Sequence, residues 1–135
     1  MRIILVAYQA RAWYVVENGV RTRLWEIAEL KEAFDVTEAE TAITDYCCWG
    51  LDSVNGPRSP WQKTTRLTGT LPGLPSLGRR CGGQRHCPRL GKNHVALAGR
   101  DATGTLRTTL AEPCPVELCA AVADLAAAHA ARPAR

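Results

Sequence analysis

The feature that most constrains this chain is a group of potential metal ligands spaced along one irregular segment. Cys81, Cys87 and His94 follow one another in the order Cys-x5-Cys-x6-His, and the glycines and prolines around them allow tight turns. Because zinc takes four thiolate or imidazole ligands in a tetrahedral array, a fourth ligand is required. Cys47, at the end of a predicted strand, is the natural candidate. The sequence therefore predicts a structural zinc site formed by Cys47, Cys81, Cys87 and His94.

This ligand set has alternatives. Cys48 adjoins Cys47 and could replace it, and His86 could replace Cys87. The spacing matches no standard zinc finger, so free thiols beside a surface histidine are the competing interpretation. Cys119 falls near the apolar stripe of a predicted C-terminal helix, which favours a buried thiol over a ligand.

Length and composition favour one domain over residues 1–135, because 46% of the 135 residues are hydrophobic. The chain contains no run of about 18 apolar residues, so no membrane span is expected. The short apolar stretch in residues 1–7 lacks the long hydrophobic region of a signal peptide. Without such a signal, the six cysteines favour a reducing, cytoplasmic location, where thiols bind metal or stay free.

Hydrophobic patterning predicts an α/β fold. Residues 12–16 form a continuous apolar run, typical of a central strand buried on both faces of a parallel sheet. A helical pattern over residues 22–34 and a second strand over residues 40–48 complete a βαβ unit, which we expect to be right-handed. The remaining expected elements are strands over residues 65–71 and 94–98, and a C-terminal helix that opens at Pro115 with an apolar stripe of Leu118, Val122 and Leu125.

Short motifs along the chain add a family resemblance. They are Trp13-Tyr14-Val15-Val16-Glu17-Asn18 with Leu24-Trp25, Asp45-Tyr46-Cys47-Cys48-Trp49-Gly50, Lys63-Thr64-Thr65-Arg66-Leu67, Cys81-Gly82-Gly83 with His94-Val95-Ala96-Leu97-Ala98-Gly99, and Pro115-Val116-Glu117-Leu118-Cys119. In this order, over nearly the whole chain, they resemble the C-terminal portion of phage and viral proteins related to DNA cytosine-5 methyltransferases.

The resemblance implies a partial Rossmann-like fold and S-adenosylmethionine-dependent chemistry on DNA. In that family the Glu-Asn motif lies beside the target cytosine, so Glu17 and Asn18 take the catalytic, base-contacting role here. The Glu17 carboxylate would hydrogen-bond the edge of a cytosine flipped out of the duplex. The alternative is that Glu17 only caps the end of a strand. The resemblance also makes residues 1–10 the end of a helix, whereas their propensity favours a strand.

Departures from the family pattern bear on activity. The family's glycine-rich cofactor loop is expected before the start of this sequence, and no equivalent of it appears in residues 1–135. Its Pro-Cys nucleophile motif is expected before residue 12 and is not found there. Pro113-Cys114-Pro115 has the nucleophile's residue types but aligns with the opening of the last helix, and Gly19 and Thr64 stand where the family has prolines. We therefore expect a truncated, split or degenerate methyltransferase-like protein, phage- or virus-encoded and inactive on its own. It would use S-adenosylmethionine only if an upstream methyltransferase half supplied the site.

The charge distribution permits nucleic-acid contact, and the family resemblance implies DNA as the partner. The formal net charge is +4, and much of the positive charge lies between residues 58 and 107. A solvated basic face is the plainer interpretation of these charges. The alternative to a methyltransferase relative is an independent zinc-stabilised module that binds nucleic acid, or another protein. The predicted nucleic-acid contacts are Arg58, Lys63, Arg66, Arg79, Arg80, Arg85, Arg89 and Lys92.

Overall fold

A computed structural model describes residues 2–50 and 59–130 of the chain. The helices are α1 (Arg2–Gln9), α2 (Ala28–Val36), α3 (Arg107–Leu110) and α4 (Val116–Ala130). The strands are β1 (Val15–Gly19), β2 (Glu40–Asp45), β3 (Thr64–Gly69), β4 (His86–Cys87) and β5 (Lys92–Asn93). Short 3-10 turns cover Arg23–Glu26, Tyr46–Trp49 and Leu74–Leu77. None of the helices within the described ranges is both long enough and apolar enough to cross a membrane.

The main sheet has three strands in the order β1-β3-β2. β3 runs antiparallel to both neighbours, so β1 and β2 point in the same direction on either side of it. The expected parallel sheet is therefore wrong, and the adjacent parallel strands of a Rossmann-like unit are not shown by the described residues. The apolar run over residues 12–16 is not a central buried strand either. β1 begins only at Val15 and lies half-buried at the sheet's edge. An apolar run does not specify how many neighbours a strand has, so the pattern could not distinguish an edge strand from a central one.

The predicted helix over residues 22–34 is divided in two. A 3-10 turn over Arg23–Glu26 precedes α2, because Ile27 has an extended backbone with ψ 117° and interrupts the helical path. The predicted strand over residues 40–48 likewise ends at Asp45, where the chain enters the second 3-10 turn.

Other expected elements differ less from the structure. The strand expected over residues 65–71 is present as β3. Residues 94–98 contribute one isolated bridge, from Val95 to Trp61, rather than a strand. Residues 2–9 form the helix α1, as the family resemblance implied and propensity did not.

Two apolar clusters cover the sheet. Val15 packs with one cluster and Val16 with the other, and successive residues of a strand point to opposite faces. The first cluster lies against α4 and includes Tyr46, Leu67, Leu74 and Leu118. The stripe predicted for the C-terminal helix is confirmed, since Leu118 is buried there while Val122 and Leu125 pack against the same cluster. The second cluster contains Ile4, Trp25, Leu30, Ala33 and Phe34.

Candidate metal centre

Four side chains from two separate parts of the chain converge beside the first apolar cluster. Cys47 lies in the 3-10 turn that follows β2, Cys87 is on β4, and His94 directly follows β5. Cys81 precedes the β4–β5 hairpin. Their ligand atoms all lie within 4.8 Å of one another, and the three cysteines are buried. The structure thus brings together the ligand set that the sequence predicted, and this Cys3His cluster could hold a metal ion such as zinc.

The spacing within the cluster suits a tetrahedral ion. The Sγ atoms of Cys81 and Cys87 are 3.9 Å apart, and the Cys81 Sγ lies 3.4 Å from His94 Nε2. Zinc bonds of about 2.3 Å to sulfur and about 2.0–2.1 Å to nitrogen give tetrahedral edges of about 3.8 Å between two sulfurs and about 3.5 Å between sulfur and nitrogen. A disulfide needs an S–S distance of about 2.05 Å, so these two thiols are not joined.

The alternative ligands lie outside the cluster. Cys48 is half-buried and packs beside the three buried cysteines without joining the converging group. His86 is exposed, with Nδ1 3.3 Å from Asn93 Oδ1. Cys119 is exposed rather than buried, contrary to expectation, because it lies off the helical stripe that Leu118 opens. Among the described residues, the geometry therefore favours Cys47 and Cys87 over Cys48 and His86.

The protonation of the Cys47 thiol differs between the free cluster and a cluster that holds a cation. Burial, followed by the hydrogen bond and charge interaction with Cys81, raises the pKa of the Cys47 thiol far above its usual range. Without an ion, a thiolate here would be costly, because burial disfavours the charged form. A divalent cation reverses this preference, since a coordinating thiol is deprotonated. Metal binding at this site should therefore release protons.

Asp45 connects the cluster to the sheet. Its Oδ2 accepts hydrogen bonds from the Cys81 backbone N–H at 2.8 Å and from Arg80 Nε at 3.1 Å, while Oδ1 accepts one from the Thr64 hydroxyl at 2.5 Å. Burial acts to raise the pKa of Asp45, but the hydrogen bonds from Thr64, Cys81 and Arg80 outweigh it and lower the pKa. Asp45 therefore stays ionised and fixes the backbone at Cys81. Sequence reasoning missed this role, although the position of Asp45 shortly before Cys47 was a usable signal.

The loop around the cluster is shaped by backbone contacts. The Gly91 N–H donates to the Cys87 carbonyl at 2.9 Å, and the His94 N–H donates to the Arg85 carbonyl at 2.7 Å. Arg89 Nε donates to the Cys47 carbonyl at 2.5 Å and so joins the hairpin to the turn after β2. On the His94 ring, Nδ1 is buried without a hydrogen-bond partner among the described residues, which leaves Nε2 as the nitrogen that faces the thiols.

The Glu-Asn pair lies at the sheet's edge, apart from the metal cluster. Glu17 on β1 accepts a hydrogen bond from the Tyr46 hydroxyl at 2.9 Å and another from the Thr65 hydroxyl. Burial and the bond to Glu17 raise the pKa of Tyr46 well above its usual range, so this phenol remains a donor. Asn18 Oδ1 accepts the Gly19 N–H at 2.7 Å. Both polar side chains therefore already have partners within the protein.

Most of the predicted nucleic-acid contacts are held in place by neighbours. Lys63 Nζ lies 4.7 Å from the centre of the Tyr46 ring, and the Arg66 guanidinium lies 4.6 Å from that of Trp25. The Arg79 guanidinium lies 3.8 Å from the centre of the Trp49 ring. Arg80 and Arg89 make the polar contacts described above, Arg85 and Lys92 are exposed, and Arg58 is outside the described residues. Five of the eight predicted cations are thus oriented by cation–π contacts or hydrogen bonds, which sequence reasoning did not foresee.

Comparison with family models, with curated proteins and with solved structures found no match to this chain.

Proposed function

We propose that the Cys3His cluster binds one structural Zn²⁺ and that the protein is a small zinc-stabilised module which binds nucleic acid. The single observation that carries the first part is the convergence of Cys47, Cys81, Cys87 and His94 within 4.8 Å. Thiolate and imidazole donors in a tetrahedral array favour zinc among the common metals. Four protein ligands leave no position open for substrate, so the metal is structural rather than catalytic.

The zinc proposal is tested by metal analysis of the purified protein. We expect one zinc per chain, and chelation should remove it and unfold the segment around the cluster, because structural zinc supplies about 10–16 kcal/mol of apparent binding energy in small domains. Elemental analysis and circular dichroism before and after chelation measure both effects. Protein purified without chelators that carries no stoichiometric metal would contradict the proposal.

Nucleic-acid binding is supported by the chemistry of the surface. The chain has a formal net charge of +4, and its described basic side chains include three whose charged groups lie over aromatic rings. Oriented cations lose less side-chain entropy when they meet a phosphate than freely rotating ones do. Binding should weaken steeply as salt is added, because neutralised phosphates release counterions.

A second candidate is the C-terminal portion of a DNA cytosine-5 methyltransferase-like protein. The observation that favours it is the position of Glu17, which is exposed on an edge strand with its carboxylate oriented by two hydroxyls. On this proposal Glu17 contacts a flipped cytosine. S-adenosylmethionine would bind only with an upstream half, because the sequence contains no Gly-x-Gly-x-x-Gly motif.

The second candidate predicts a preference for duplexes that carry a mispaired cytosine, whose extrusion costs less. Glu17→Gln should remove that preference, which is worth about 1–3 kcal/mol if the carboxylate reads the base edge. Fluorescence anisotropy on mispaired and matched duplexes measures it, with Glu26→Gln as the control for losing one exposed carboxylate. Equal affinity of the unmodified protein for both duplexes would reject this candidate and leave the zinc proposal standing.

A further inference from the structure

A basic cleft of about 600 Å³ lies at one end of the main sheet. One part of its lining is the turn after β1, which carries Arg21 and Thr22, and another part carries Lys63 and Arg80. Among the described residues that line the cleft, three are cationic and none is acidic. The volume lies within the roughly 300–1,000 Å³ range of pockets that hold small molecules, which suits one or two nucleotides.

The wall that carries Arg21 is fixed by hydrogen bonds. The indole N–H of Trp25 donates to the Gly19 carbonyl at 2.8 Å, and Asn18 Oδ1 accepts the Gly19 N–H at 2.7 Å. The Thr65 hydroxyl, whose one proton is shared between Glu17 and this segment, lies 2.9 Å from the Asn18 carbonyl oxygen. Asn18 therefore positions the turn that presents Arg21, a residue that sequence reasoning did not select.

The part of the lining that carries Arg80 is fixed through Asp45. This carboxylate accepts from Thr64, which lines the cleft, and from Nε of Arg80. Nε is one of the five N–H donors of a guanidinium, and 58% of the Arg80 side chain is exposed. Because Asp45 also holds the Cys81 backbone, the wall of the cleft and the metal cluster share one support.

One polar atom beside the cleft has no hydrogen-bond partner among the described residues. The hydroxyl oxygen of Thr22 is buried and makes no hydrogen bond within the described residues, although Thr22 lines the cleft. Buried hydroxyls are nearly always hydrogen-bonded, so such an exception requires an explanation. Because this oxygen has almost no accessible surface, a phosphate or sugar oxygen in the cleft would become its partner only after a shift of the turn that follows β1.

A second cleft of about 420 Å³ continues the path. It shares Gln62 and Leu97 with the first cleft and is also lined by Arg85 and by the metal-cluster residue His94. Together the two clefts extend from Arg21, past the metal-cluster residue His94, to Arg85. A concave basic path of this kind suits a single strand, whose backbone enters such grooves, better than a duplex.

We propose that this paired cleft binds the phosphodiester backbone of a single nucleic-acid strand, with Arg21, Lys63 and Arg80 contacting one phosphate region and Arg85 another. This inference rests on the nucleic-acid part of the proposed function and adds the location, the strand form and the role of Arg21. It does not depend on the second candidate.

The test compares Arg21→Ala with Arg23→Ala in the full, zinc-loaded chain. Both are exposed arginines in the same stretch after β1, but only Arg21 lines the cleft.

The probe is a fluorescein-labelled oligothymidylate, titrated by anisotropy at several salt concentrations. We expect Arg21→Ala to weaken binding by about tenfold, the size of one lost charge-assisted hydrogen bond. It should also reduce the salt slope by about 0.7, the value for one phosphate contact on a single strand. Arg23→Ala should change neither quantity by a comparable amount.

Several results would overturn the inference, and they can be told apart. Equal effects of the two substitutions would reject the cleft while nucleic-acid binding by the module stood. Tighter binding of a matched duplex than of the single strand would reject the strand assignment. Full displacement of the probe by inorganic phosphate at matched ionic strength would identify a small-anion site instead. No binding by the unmodified protein at low salt would reject both this inference and the nucleic-acid part of the proposed function.

Discussion

Replacement of Cys87 by serine is expected to abolish stoichiometric zinc binding and to unfold the segment between residues 79 and 97. Cys87 is 1% exposed, and its Sγ lies 3.9 Å from that of Cys81. A serine hydroxyl is neutral near pH 7 and does not replace a thiolate as a zinc ligand. Structural zinc is worth about 10–16 kcal/mol in apparent binding energy, comparable with the 5–15 kcal/mol total stability of a typical domain. Cys47 lies between Tyr46 and Trp49 in the sequence, and both of these residues belong to the first apolar cluster. Loss of the zinc should therefore also destabilise that cluster. Zinc content and thermal melting measure the two effects.

The matched control is Cys48→Ser. Cys48 is half-buried and adjoins Cys47 but lies outside the converging group. This substitution should retain one zinc per chain and lower the melting temperature only modestly. Loss of zinc in Cys48→Ser with retention in Cys87→Ser would show that the ligand set is wrong.

Much of the candidate metal centre could be predicted from residue chemistry. Cys81, Cys87 and His94 stand in a segment rich in glycine and proline, and such a segment can turn back on itself. The choice between Cys47 and Cys48 could not be made in this way. It depends on which side of the 3-10 turn over Tyr46–Trp49 faces the hairpin, and the structure places Cys47 inward with no exposed surface. That direction is a property of tertiary packing.

The sheet could be predicted only in part. The positions of β2 and β3 follow from local patterning, but their neighbours do not, because strand order depends on long-range pairing. Gly69 lies at a close backbone contact that the sequence pattern did not predict. A Cβ at this position would lie 2.0 Å from the Tyr14 carbonyl oxygen, so β3 approaches the chain just before β1 more closely than any side chain allows. A glycine at the end of a predicted strand was compatible with a turn as well as with this contact.

The basic residues illustrate a different limit. Their charge is visible in the sequence, but the ring under Arg66 and the ring under Arg79 come from residues far away along the chain. Arg21, by contrast, was overlooked because it lies outside the basic segment, and only the cleft identifies it. Charge clusters in sequence therefore located some of the candidate surface and missed one wall of it.

Gly83→Ala is expected to lower zinc affinity by at least tenfold, although Gly83 is not a ligand. A Cβ on Gly83 would lie 1.9 Å from the His86 carbonyl oxygen, whereas ordinary contact begins at 3.4 Å. The two groups would have to separate by the difference, 1.5 Å. His86 directly precedes Cys87, so this shift would move a ligand, and a zinc site tolerates only about 0.2 Å in its metal–ligand distances.

The control is Gly82→Ala, whose Cβ meets nothing within 4 Å but whose φ of +71° adds strain. That strain costs about 1–2 kcal/mol of stability and displaces no ligand. Competition with a chromophoric chelator measures both zinc affinities, and an equal loss in the two variants would show that the close approach of Gly83 to His86 does not hold the site together.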